Sequence, residues 1–167
     1  MSARYVDIGV DRARYRGTLM YRIHPRVNVG VEWNPGETEV GPLANVFLLT
    51  ESHARPALSL GTSSDRIGTG PYKTSVYLTA AKRFPHPDVP ISGYVSLNWS
   101  ETDDGFNAPF GATLHLGGNY DLRGMYDGQR SHLLASGTFG RVTVTALWVW
   151  LEHAGVSLST GFGGDSE

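Results

Sequence analysis

The chain has 167 residues, a formal net charge of −2 and no cysteine, which fits one domain and excludes disulfides and thiolate metal sites. A near-neutral balance without a basic run leaves no electrostatic footprint for nucleic acid. The 21 glycines and 9 prolines, set among Val, Thr, Tyr and Trp, favour short strands joined by turns, so residues 1–167 are expected to form a single all-β domain with almost no helix.

The opening Met1-Ser2-Ala3-Arg4 lacks a charged leader followed by an apolar core, and is read as the start of a mature chain. Strict alternation then recurs along the sequence. In 27–34, Val27, Val29, Val31 and Trp33 share one face, opposite Asn28, Gly30, Glu32 and Asn34. Residues 73–81 set Thr74, Val76, Leu78 and Ala80 against Lys73, Ser75, Tyr77 and Thr79. Residues 91–100 set Ile91, Val95, Leu97 and Trp99 against Ser92, Tyr94, Ser96, Asn98 and Ser100. The same rule, applied between turn signals, gives strands at 4–10, 15–24, 27–34, 44–52, 56–63, 72–83, 90–100, 109–117, 119–127, 131–139, 141–151 and 155–162. The longest apolar-rich run, 142–151, is broken by Thr143 and Thr145, and a membrane helix needs about 18 to 20 apolar residues. The expected architecture is a closed antiparallel up-and-down transmembrane β-barrel of about twelve strands, within a range of roughly 8 to 12.

Orientation follows from the polar face. A water-facing sheet carries many Lys and Glu, whereas this chain has only Lys73 and Lys82, and its polar strand positions are mostly Ser, Thr, Asn, Gly and Tyr. Such a face suits a wet lumen. Asn28, Glu32, Ser75, Tyr94, Ser96, Asn98 and His115 are therefore the expected lumen lining, with the aliphatic face toward lipid. Trp33, Trp99, Tyr120, Trp148, Trp150 and Phe162 fall at strand ends, as interfacial aromatics do. The expected surroundings are a lipid bilayer or detergent, and the expected location is the bacterial outer membrane. The competing fold is a soluble lipocalin-like barrel holding an apolar ligand, with the same alternation turned inside out.

The run Ala57-Leu58-Ser59-Leu60-Gly61-Thr62-Ser63-Ser64-Asp65-Arg66-Ile67-Gly68-Thr69-Gly70, with Tyr77-Leu78-Thr79-Ala80-Ala81-Lys82-Arg83-Phe84, resembles the YjbH-like group of bacterial outer-membrane proteins. Tyr21-Arg22-Ile23-His24-Pro25-Arg26 and Val29-Gly30-Val31-Glu32-Trp33-Asn34-Pro35 are similar to that group's early hairpin. The resemblance implies an outer-membrane barrel connected with exopolysaccharide production or export, with polysaccharide or small solutes as partners. It carries over no catalytic residues.

The histidines, His24, His53, His86, His115, His132 and His153, show no metal-ligand spacing, and neither metal nor cofactor is expected. No nucleophile elbow or phosphate loop is present. The expected function is a passive pore or envelope scaffold without enzymatic activity. The enzymatic alternative is an outer-membrane lipid hydrolase, for which His132 beside Ser131, or His153 near Ser157, would supply base and nucleophile.

Overall fold

A computed structural model describes residues 1–162 apart from 68, 71 and 72. The strands run in chain order as β1 (Ser2–Val6), β2 (Tyr15–His24), β3 (Val27–Asn34), β4 (Glu39–Leu49), β5 (Ala57–Ser64), β6 (Thr74–Phe84) and β7 (Ile91–Ser100). They continue as β8 (Gly105–Asn107), β9 (Phe110–His115), β10 (Tyr120–Tyr126), β11 (Ser131–Phe139), β12 (Val142–Val149) and β13 (His153–Thr160). Each pairs antiparallel with its neighbours, β6 pairs with β7, and β1 pairs with β13 from Ser2↔Ser159 to Val6↔Gly155, so the sheet closes on itself. Both β8 and β9 pair with β7 and occupy one position in the wall, giving a barrel of 12 strands. Among the described residues helix is confined to α1 (Asp11–Arg14) and one 3-10 turn, Pro35–Glu37.

Three departures from the expected strands have local causes. The first strand ends at Val6, because residues 7–14 leave the wall and bury Ile8 and Ala13 over the barrel end. The fourth begins at Glu39 and runs through Pro42. Since β5 pairs with β4 only from Ala44 onward, Pro42 sits at a local edge, where its missing N–H forfeits no bond to β5. The strand expected at 109–117 is preceded by β8, and Pro109 divides the two pieces. Its carbonyl still accepts the Ser96 amide at 2.8 Å, which holds the interruption against β7.

Both described ends of the chain lie at one rim, where the Met1 amino group donates to the Thr160 carbonyl at 2.9 Å. The turns at this terminal rim are 25–26, 50–56, 85–90, 116–119 and 140–141. At the opposite rim lie 7–14, 35–38, 65–73, 101–104, 127–130 and 150–152. The two longest, 7–14 and 65–73, share that rim, but 50–56 and 85–90 keep the terminal rim from being uniformly tight.

The faces are strongly unequal. Outward positions include Leu19, Val31, Leu60, Leu78, Val95, Leu97, Val144, Val156 and Leu158, with Leu97 54% and Leu158 52% exposed. Of the Lys, Arg, Asp and Glu side chains, register assigns only Lys82 to the outer strand positions, and it lies at the terminal rim donating to the carbonyls of Ser52 and His53, while His24 pairs with Val27 at the same rim. The buried apolar set among the described residues is Val6, Ile8, Ala13, Leu43 and Val149, whereas Glu32, Asn34, Glu39, Ser75, Ser96, Asn98, Ser100, Thr113 and His132 are buried polar groups. A water-soluble fold buries its aliphatic groups; on the strands of this barrel the aliphatic groups are exposed and polar groups are buried.

Candidate functional site

The lumen is the concave feature with chemistry in it. Strand alternation turns Arg4, Arg16, Asn28, Glu32, Ser75, Tyr94, Ser96, Asn98, His115 and Asp121 to one side, and cross-strand register keeps them there around the ring. A cavity of about 440 Å³ lies among them, lined by Glu32, Ser75, Tyr94, Ser96 and Asn98 of the expected set. Asn28 is on the same face, paired across to Asn45 and Arg22, but outside that cavity. His115 lines a separate cavity at the terminal rim.

Two tyrosines that would otherwise fill the bore are folded against the wall. Tyr77 faces Gly61 and Tyr94 faces Gly111 across the ladder, and a Cβ at either glycine would stand 2.5 Å or 2.7 Å from the neighbouring ring. The absent side chain is what lets each ring lie flat.

Toward the capped rim the inner wall becomes a polar network. Glu32, 1% exposed, receives hydrogen bonds from Arg16, Ser64 and the Asn34 amide, and Asn34 also reaches Glu39. Asp65 accepts from the Ser100 hydroxyl at 2.5 Å. Arg66 forks onto both oxygens of Asp103 at 2.6 Å, a bidentate charge-assisted pair. That pair raises the Arg66 guanidinium above its ordinary range and holds the Asp103 carboxyl below the usual carboxylate range. Burial alone would raise Asp127, but the His132 ring at 2.8 Å and the amides of Arg130 and Gln129 outweigh it and hold that carboxyl low.

Over this network lies an apolar cap. Val6, Ile8, Ala13 and Val149 form a buried cluster, and Val10, Ile67, Leu147 and Trp150 pack on it. Ile67 belongs to the β5–β6 connection, while Val6 and Val149 belong to β1 and β12 on the far wall. Ile67 thus meets Ile8 and Ala13 of the β1–β2 connection, together with the two wall residues, in one apolar cluster at this rim.

The outward aromatics form two belts. Trp33, Trp99, Phe106 and Trp148 stand toward the capped rim, and Tyr21, Phe84, Tyr120, Phe139 and Phe162 toward the terminal rim, with Tyr21 72% and Phe162 74% exposed. Trp150 is placed differently from its companions in the expected set. It lies in the β12–β13 turn at φ 58°, packed on the cap, with the Arg130 guanidinium 4.2 Å from its ring centre.

Strand geometry separates the Ser and His pairs that adjacency in sequence offers. Ser131 points outward while His132 is buried inward on Asp127. His153 stands beside Trp150 at the capped rim, and Ser157 bonds the Ala3 carbonyl further along the strand. A different trio meets at the terminal rim. The Ser92 hydroxyl of β7 lies 2.8 Å from Nε2 of His115 on β9, and Nδ1 of that ring lies 2.6 Å from Asp121 on β10. With Nδ1–H donated to the carboxylate, the neutral ring presents Nε2 as the acceptor for the serine. Sequence reading singles out His115 alone, because the other two reach it only through cross-strand register.

Compared with known proteins, the chain matches no family, no curated protein and no solved structure. Residue geometry has to carry the functional argument.

Proposed function

We propose that the protein is an integral β-barrel of a bacterial outer membrane, with a hydrated lumen closed at one rim, acting as an envelope scaffold and not as a constitutively open pore. The observation that carries this reading is the outer surface. Its strand positions are aliphatic or aromatic apart from a few Gly, Ser, Thr and Pro, and their one charge sits at a rim. Burying such a band in hydrocarbon contributes roughly 25 cal/mol per Å², whereas leaving it in water would give a continuous apolar surface far beyond what a soluble monomer tolerates. Closure supports the same reading, since a complete ring leaves no strand edge unsatisfied in lipid.

A lipocalin-like carrier would need an apolar interior. The central cavity instead sets Glu32, Arg16, Ser75, Ser96 and Asn98 beside apolar groups such as Ile67, Met125, Leu147 and Val149, so buried charge shares its wall with aliphatic surface. The resemblance of 57–70 and 77–84 to the YjbH-like group suggests exopolysaccharide production or export as the cellular setting.

Refolding tests the membrane assignment directly. In detergent the chain should become monodisperse, migrate on unheated gels differently from the boiled chain, and partition into liposomes. A monodisperse monomer in plain buffer would remove the proposal.

A further inference from the structure

We propose that Ser92, His115 and Asp121 form a nucleophilic hydrolase site in the terminal mouth of the lumen, acting on a short acyl ester of a water-soluble, anionic alcohol. Three successive wall positions supply the trio, and the two hydrogen bonds, 2.8 Å and 2.6 Å, run in series from hydroxyl through imidazole to carboxylate. That is the order a nucleophile, its general base and the group that fixes the base's tautomer require, and such constellations are recognised by geometry and not by fold. His115 is anchored at its backbone as well, its amide donating to the Pro90 carbonyl at 2.9 Å.

Two members of the trio open onto space, and Ser92 stands half-buried beside them. His115 and Asp121 line a cavity of about 400 Å³ together with Arg83, Gly117, Gly118 and Asn119. A Cβ added at Gly117 or Gly118 would meet nothing within 4 Å. Among the described residues the amides of Gly118 and Asn119, in the turn that lines this cavity, donate no backbone hydrogen bond. Arg83 is the direct cross-strand partner of Ser92 and places a cation beside the nucleophile. The pocket is small and largely polar, hence a short acyl group on an anionic alcohol in preference to a long lipid chain.

In the reaction, Ser92 Oγ attacks the ester carbonyl while its proton passes to His115 Nε2. The bond to the alkoxy oxygen breaks, and the alcohol leaves with that proton. Water then attacks the acyl-serine with His115 again as base, which releases the carboxylic acid and restores the serine. Nothing beyond ester and water is consumed.

The test uses the full chain, folded in detergent, with a fluorophosphonate probe, 4-nitrophenyl acetate, 4-acetoxybenzoate, whose alcohol is anionic, and its neutral counterpart 4-acetoxybenzamide as reagents. Peptide mapping should find the probe on Ser92, with labelling and hydrolysis falling at least about 100-fold in Ser92→Ala and His115→Gln. Ser157→Ala, far along the lumen, should retain both. The wild type should prefer 4-acetoxybenzoate to 4-acetoxybenzamide, and Arg83→Gln should lose that preference. A barrel that keeps its heat-dependent gel shift yet takes no probe, or takes it equally after Ser92→Ala, overturns the site and reduces the trio to a brace between strands. Solubility without detergent would defeat the membrane reading alone, because the labelling is scored on Ser92 in either medium.

Discussion

Gly61 and Gly111 perform the same task with different tolerance. At Gly61 the obstruction to a new methyl is the Tyr77 ring, which can swing toward the bore; at Gly111 the Gly124 carbonyl, 2.8 Å away, obstructs as well and belongs to the wall. Gly111→Ala should therefore destabilise the barrel by about 1–3 kcal/mol, measured by urea unfolding in detergent, and Gly61→Ala by less. Equal losses would mean that backbone crowding does not set the difference. At this scale alternation made the inward side of Asn28, Glu32, Ser75, Tyr94, Ser96 and Asn98 legible. It could not reveal that Ser92 meets His115, since that contact depends on Ile91 pairing with Leu114, a register no single strand encodes.

At the scale of the element, the cap is the feature hidden from sequence. Residues 7–10 continue an alternating pattern and read as strand, yet Ile8 finds a drier environment against Val6 and Val149 than the wall could give it. The carboxylate contacts beneath the cap make its closure depend on acidity. Asp103 and Asp127 are both held below the ordinary aspartate value. Groups depressed in the folded state stabilise it fully above their unfolded pKa, roughly 3.9, and lose that contribution as pH falls through the lower folded value. Neutral and mildly acidic solutions should leave the cap shut, with conductance steps in planar bilayers appearing only below about pH 4. Asp103→Asn removes the charged partner of Arg66 and should produce such steps at neutral pH. Steady wild-type conductance at pH 7 would show that the apolar cap does not seal the bore.

For the whole molecule, the decisive property is which side of the wall is dry. Leu97 and Asn98 are neighbours on β7 pointing out and in, respectively. Leu97→Arg should cost about 2–4 kcal/mol for folding in a bilayer if it lies near the midplane, while Asn98→Arg, entering a wet cavity, should cost clearly less. The reverse ranking would place the aliphatic face on the inside. Strand number and closure were legible because a period of two repeats between turn signals along the chain. The cap and the divided wall at Pro109 were not, because both arise from contacts between segments distant in sequence.

The pairing of β1 with β13 has a kinetic meaning. Neighbouring strands elsewhere are successive in the chain and can zip as hairpins, but Arg4 must find Ser157 across nearly the full length of the polypeptide. Ring closure at that seam carries the largest loss of chain entropy and should come last, so refolding should be slow and governed by this one junction. Removing β1 would leave β2 and β13 as open edges, and such a truncated chain should aggregate through them instead of folding as a smaller ring.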